Sequence, residues 1–287
     1  MGTRGVVGFH RNGVDKITYN HFDSYPSDLG ERVKDFLMTT PVNEMLAIFD
    51  RIIMVNGTQP PTPEQIEACK SFTNLSVNTQ RPDNWYNLLR EAQGNLNAYK
   101  GGLRYMIDNV SFLQDSLFCE WGYVINLDTN VLEIYRGFQK TPQWNRYYTP
   151  VATGNSGYFN CQLIKTVPLA EIARFDMSAF ERQVVRDEEL AWYHQAIQDL
   201  FRKHVPDSYA VIAAHQFDLV EPSTFKATVM TNQPTIARSV VTKLQHALTE
   251  KFTGRQVTIT VHPAENNDDD GWTYLVPVMV TIAKRGA

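Results

Sequence analysis

Asn12-Gly13 constrains this chain more than any other pair of residues. A two-residue hairpin turn needs positive φ at both central positions, and Asn followed by Gly meets that need at the least steric cost. The flanks agree with a hairpin. Arg4-Gly-Val-Val-Gly-Phe9 is a short apolar run suited to a buried strand, and Val14 to Asp23 is long enough to return along it. With Asn12 and Gly13 at the centre, cross-strand partners carry numbers summing to about 25. Gly5 then faces Asn20, Arg4 faces His21, and Thr3 and Gly2 face Phe22 and Asp23. Alternation places Ile17, Tyr19, His21 and Asp23 on one face and Lys16, Thr18, Asn20 and Phe22 on the other. The strand end, Tyr-Asn-His-Phe-Asp-Ser-Tyr-Pro, is very polar for a partner of Gly-Val-Val-Gly. A buried His or Asp must find a partner or lose its solvation. Two readings follow. One is a wet edge hairpin in which Asp23, Ser27 or Asp28 caps the next helix. The other is a functional site gathered at the start of the chain.

At 287 residues, 43% of them hydrophobic and 20% charged, the chain is globular and long enough for a large core or two domains. A net charge of −4, with no Lys/Arg block, argues against a nucleic-acid binder driven by phosphate neutralisation. Cys69, Cys119 and Cys161 are odd in number and far apart, so neither a disulfide framework nor a zinc motif is expected, and a reducing, cytoplasmic compartment fits. No signal peptide or membrane-length apolar run is evident. A homo-oligomer is compatible with this composition.

Periodicity predicts helices over Leu29–Thr40, Glu44 to about Val55 with Asn43 as cap, and Glu64–Phe72 behind Thr62-Pro63. Two more are predicted, over Trp85 to about Tyr99 behind Asp83 and over Leu103–Leu117. A second hairpin joins Cys119–Leu127 to Val131–Phe138. Gln139–Pro150, with Trp144, Tyr147 and Tyr148, is either a site-lining loop or, better, a surface lid. Cys161–Val167 is a further strand. From Phe180 the pattern reads helix (Val184–His204), strands (Tyr209–Val220, Phe225–Thr231), helix (Thr235–Phe252), strands (Gln256–His262, Thr273–Ala283). This is a small α-β-β-α-β-β domain, 179–287, after a first domain at 1–178.

Most familiar chemistry is missing. Asn266-Asn-Asp-Asp-Asp-Gly271 has consecutive acids and no later Glu, so it is expected as a wet loop and not a calcium site. His215 and His262 stand at no metal-ligand spacing. Gly101-Gly102 lacks the Lys-Ser/Thr of a phosphate loop, and GxSxG and HExxH do not occur. No metal or cofactor is expected.

The opening Met-Gly-Thr-Arg-Gly-Val-Val-Gly-Phe resembles that of N-terminal-nucleophile hydrolases, including class II glutamine amidotransferases. Tyr19-Asn-His-Phe-Asp23 resembles the Gly-Arg-Asn-x-Asp element of their bile-salt and penicillin-acylase-like branch. The opening through Tyr25-Pro26 also resembles that of a set of bacterial and phage proteins without an assigned activity. The superfamily resemblance extends at most over residues 1–175. It implies an α+β protein whose first domain is an αββα sandwich and which cleaves an amide bond of a small molecule or peptide. In that scheme the chain's own amine is the base. Thr3 is the nucleophile after trimming, His21 and Asp23 orient the amine, and Arg4, Asn20 and Tyr25 bind substrate or oxyanion. The chain departs from the pattern at residue 2, a Gly with no nucleophile, so Gly2 must also be removed. Cys119 is a nucleophile only if His21 lies beside it. The alternative is a non-catalytic binding or assembly protein that uses the same polar pocket for a ligand or partner.

Overall fold

The structure, a computed structural model, describes residues 2–74, 83–154, 156–204, 209–211, 223–231, 238–263, 265–266 and 274–284. It is mixed α and β with open sheets, in two compact units, Met1–Arg182 and Gln183–Ala287.

In the first unit β1 (Gly5–Arg11) and β2 (Val14–Asn20) form the expected hairpin, paired from Gly5 with Asn20 to Arg11 with Val14. Asn12 and Gly13 take φ of 50° and 72°, the turn geometry for which this pair is suited. There follow α1 (Glu31–Thr39), α2 (Val42–Arg51), β3 (Ile53–Val55), α3 (Pro63–Cys69), α4 (Trp85–Leu89), α5 (Leu96–Lys100) and β4 (Tyr105–Ile107). Then come β5 (Trp121–Asn126), β6 (Val131–Arg136) and β7 (Gln162–Pro168). The main sheet runs β2-β1-β5-β6-β7, and only β1 and β5 pair in parallel. A parallel pair needs a crossover, and α1 to α5 lie in that intervening stretch. One sheet face sets Phe9 against Phe36 of α1, ring centroids 6.1 Å apart. The other buries Val6, Ile17, Val124 and Tyr135 with Leu113, Cys119, Tyr147 and Cys161. Irregular chain around 110–119 and 139–161 therefore covers that second face.

Thr62 caps α3 as expected, in a reciprocal box with Gln65. Three helix expectations are corrected. The helix predicted to reach Val55 starts at Val42 behind Pro41, not Asn43, and ends at Arg51. Its tail is β3, paired in parallel with β4. The helix predicted over 85–99 is two short ones capped by Asn84 and Asn95, not Asp83. Gly94 breaks it at φ +85°, and a Cβ there would stand 2.5 Å from Asn20 Oδ1. The helix predicted over 103–117 is β4 and a 3₁₀ turn, Val110–Gln114. Asn109 explains the change. Its N–H donates to the Ile17 carbonyl, and its Oδ1 accepts from the Tyr19 N–H, so both groups bond to β2 and not to a helix.

The division between the units falls within α6 (Met177–His204). The second unit also contains β8 (Tyr209–Val211), β9 (Ser223–Thr231), α7 (Arg238–Lys251), β10 (Arg255–Val261), β11 (Glu265–Asn266) and β12 (Tyr274–Lys284). The antiparallel order is β10-β12-β9-β8. Tyr193, Ile197, Leu244, Leu248 and Phe252 of the helical side pack on Phe225, Val278, Val280 and Ile282. The acidic run beyond Asn266, His215 and the expected strand beyond Val211 lie outside the described residues.

Candidate functional site

The pairing directions bring four strand ends to one edge of the main sheet: the start of β1, the end of β2, the start of β5 and the end of β6. The chain's first residues lie there. The Arg4 carbonyl accepts from the Glu120 N–H at 2.9 Å, and the Arg4 N–H reaches Glu120 Oε1 at 3.4 Å.

Thr3 is buried, and its carbonyl accepts from the Ser24 N–H at 3.1 Å. The Arg4 guanidinium lies 4.7 Å from the centre of the Phe118 ring. Buried Asn20 donates through Nδ2 to the Phe22 carbonyl and to Ser24 Oγ, holding the turn after β2. His21 packs edge-on to Tyr19 at 4.7 Å and to Tyr86 at 4.9 Å, with Phe22 at 5.9 Å. Asp23 is exposed at φ 45°, which takes it out of the strand's alternation, and its carbonyl accepts from the Leu29 N–H. Tyr25 has an exposed ring, and its carbonyl accepts from the N–H groups of Asp28 and Gly30. The first residues, His21 and Asn20 are thus neighbours. Among the described residues no hydrogen bond or ion pair joins Thr3, His21 and Asp23.

What surrounds His21 comes from a segment that sequence reading assigned to a plain helix. Arg90 lies near both Phe22 and Tyr86, its guanidinium carbon 5.9 and 5.7 Å from their ring centres, and both rings are exposed. Burial lowers the His21 pKa below 6.5 and the Arg90 charge lowers it further, while Gln93 and Glu91 pull the other way. Burial and the Arg90 charge both favour the neutral imidazole. Gln93 lies close enough to act on His21, yet the two make no hydrogen bond of sound geometry: Gln93 Oε1, His21 Nε2 and Arg90 Nε are all buried without a partner. On the next strand Arg136 stacks on Trp121 and Phe138 at 4.7 and 5.0 Å and donates to the Glu120 carbonyl. The edge thus carries three guanidinium groups beside exposed aromatic rings. Register alone placed Thr3, Arg4, Asn20, His21 and Phe22 there; Arg90 and Gln93 carry no spacing signal. Cys119 is buried, and burial raises its thiol pKa well above 9.0, so it remains a thiol, donating to the Trp121 carbonyl.

Comparison with protein-family models, with curated proteins and with solved structures finds no match to this chain.

A second polar constellation lies at the opposite end of the same sheet face. His10 Nδ1 is 2.7 Å from Asp15 Oδ1, which also accepts from the Tyr147 hydroxyl at 3.0 Å. Arg146 makes a two-pronged pair with Glu133, which also accepts from Tyr135 Oη and Asn126 Nδ2, each at 2.8 Å. Burial pushes the Glu133 carboxyl up, but these hydrogen bonds and the Arg146 charge outweigh it and leave its pKa below the ordinary value. Both Glu133 oxygens are satisfied, so the group acts as a clamp that fixes the 139–161 segment on the sheet. Register made half of it legible, because 10 and 15 face each other across the Asn12-Gly13 turn. Arg146 and Tyr147 sit in the expected lid. Trp144 of the same segment is exposed and stacks on Tyr148 at 4.2 Å. Among the described residues no group of three or more His, Cys, Asp or Glu could hold a metal ion, and no helix is long and apolar enough to cross a membrane.

Proposed function

We propose that the first unit is a binding module whose ligand site is the sheet edge at the start of the chain. One observation carries this reading: the Arg90 guanidinium lies 5.9 and 5.7 Å from the centres of two exposed rings, Phe22 and Tyr86, both of which also pack on the His21 imidazole. Exposed aromatic faces with an oriented cation are the materials of ligand recognition, and strand-end loops on a rigid sheet are where such groups are usefully held. Fragment-sized small molecules and short peptides, titrated into the isotope-labelled full chain, should shift the resonances of His21, Tyr86 and Arg90. Tyr86→Ala should abolish those shifts while leaving the melting temperature within a few degrees. Ligands that bind only elsewhere, or that bind Tyr86→Ala unchanged, would remove the reading.

A second reading is favoured by Thr3, whose backbone is already tied into the sheet edge beside Ser24. It is an amidohydrolase of the N-terminal-nucleophile type, built on an αββα sandwich and cleaving an amide bond of a small molecule or peptide. Thr3 would be the nucleophile once Met1 and Gly2 are removed, with His21 and Asp23 orienting its amine and Arg4, Asn20 and Tyr25 on the substrate. The intact mass of the purified native protein decides. A chain beginning at Thr3 supports the enzyme, and one beginning at Met1 or Gly2 sinks it.

A further inference from the structure

We infer that the groove between α6 and α7 in the second unit binds an organic phosphate, with the phosphate held by lysines on the rim and the apolar body resting on the floor. This goes beyond the sheet-edge site of the first unit and does not rest on it. Leu244 and Leu248 of α7 turn inward to the sheet core, as do Ala196 and Ile197 of α6. Spacing sets what α7 leaves outward. Lys243, Ala247 and Lys251 stand four residues apart, so they form one row along the helix. That row, with His246, lines an open groove of about 650 Å³, and Leu200 and Lys203 of α6 line it too. Such a volume is within the range of small-molecule sites. Lys203, Lys243, His246 and Lys251 are all exposed, so a ligand reaches them directly from solvent.

The charge of this groove runs against that of the chain. The whole sequence carries −4, yet three lysines line this one groove. A merely solvated helix face sets carboxylates one turn from its lysines. Here the places one turn from Lys243 are Ser239 and Ala247, and Ala247 also precedes Lys251 by a turn. Asp199 stands one turn before Lys203, but its Oδ1 accepts from Gln195 Nε2 at 2.9 Å. Among the described residues no carboxylate pairs with Lys203, Lys243 or Lys251. Glu250 is the only acid among the lining residues, and its Oε2 lies 3.6 Å from His246 Nδ1. The Lys251 ammonium lies 5.5 Å from the centre of the half-exposed Trp192 ring. Like charges held together without counter-ions repel, and a bound anion relieves that repulsion. Lysine is a compact point charge with no planar fork, so three of them suit a phosphate approached from several sides better than a flat carboxylate. Leu200 and Ala247 leave an apolar floor, and the small Ala247 keeps the space between Lys243 and Lys251 open. A bare anion would leave that floor wet, whereas a phosphate ester covers it with its apolar body.

Phenyl phosphate, inorganic phosphate and benzyl alcohol, titrated into the isotope-labelled full chain at low salt, separate the charge from the body. Phenyl phosphate should shift the His246 ring and the Ala247 amide and bind about tenfold more tightly than either of the others. Added sodium chloride should weaken it. Lys243→Gln should weaken it about threefold, and Lys243→Gln combined with Lys251→Gln about tenfold, whereas Lys70→Gln, exposed on the first unit, should leave it unchanged. Ala247→Leu, which removes no charge, should bring phenyl phosphate down to the affinity of inorganic phosphate by filling the floor. Phenyl phosphate that leaves His246 and Ala247 unmoved, or that binds the double lysine variant unchanged, would overturn the assignment. Benzyl alcohol binding as tightly would overturn the phosphate, and inorganic phosphate binding as tightly would overturn the apolar body. A single-stranded oligonucleotide that shifts the same residues at lower concentration would give the groove to nucleic acid and overturn the small-molecule reading.

Discussion

Replacing Arg146 with Met tests whether the clamp on the sheet face is structural. The Glu133 side chain is only 7% exposed, and that of Arg146 is 27% exposed. The substitution keeps most of the side-chain volume but strands a buried carboxylate with only Asn126 and Tyr135 as donors. Breaking a buried pair from one side costs about 3–5 kcal/mol, and the partial exposure of Arg146 puts this case near 3 kcal/mol. With a urea slope of about 2 kcal/mol/M, the midpoint of the first unit should fall by about 1.5 M. Tyr147 and Tyr135 sit at the clamp, so near-ultraviolet circular dichroism reports on it directly. The pH dependence has a definite sign. The folded-state pKa of Glu133 lies below its ordinary 4.5, so its contribution is complete above that value and is lost as pH falls through the folded one. The difference between wild type and Arg146→Met should be full at pH 7 and close as pH falls through the folded-state value of Glu133. Glu133→Gln combined with Arg146→Met should recover about half the loss, because no stranded charge remains. A loss below about 1 kcal/mol at pH 7, or a double variant as weak as the sum of the singles, would refute the reasoning.

Gly94→Ala should destabilise the first unit by about 2–4 kcal/mol, seen as a lower melting temperature, because positive φ and a clash with Asn20 add together. The His21 imidazole should titrate below 6.5 in the folded protein, and Arg90→Met should move that midpoint upward by removing the neighbouring cation. Since the unfolded chain takes up that proton first, the His21 contribution to stability is present above 6.5 and declines as pH falls through the folded value; denaturant midpoints from pH 8 to pH 5 check it. Cys69 and Cys119 should resist thiol reagents in the native protein and react on unfolding, since burial raises both thiols, Cys69 to about 11.

The parts of the fold legible in the sequence are those specified locally. Asn12-Gly13 sets the β1–β2 register, including the facing of His10 and Asp15, because turn type alone fixes the pairing. The β5–β6 hairpin follows from its β-branched and aromatic flanks. What was not legible depends on distant chain. β3 and β4 are strands because they pair with each other, across a separation that no window of periodicity spans. Gly94 breaks a helical pattern because Asn20 needs the space. At the site, alternation placed His21 correctly with Tyr19, but failed at Asp23 because positive φ ends the strand rule there. Arg90 and Gln93 reach His21 from about seventy residues away, a distance over which sequence alone gives no register.

The place of β1 in the sheet has a consequence during synthesis. Its antiparallel partner leaves the ribosome almost at once, but its parallel partner, β5, follows only after roughly a hundred further residues. At ordinary elongation rates of about 5–20 residues per second, the nascent Val6-Val7-Gly8-Phe9 run keeps one bare hydrogen-bonding edge for about 5–20 s. Such an edge is a template for pairing with other chains. Polysome-bound molecules of this protein should therefore depend on chaperone cover until Trp121–Asn126 emerges.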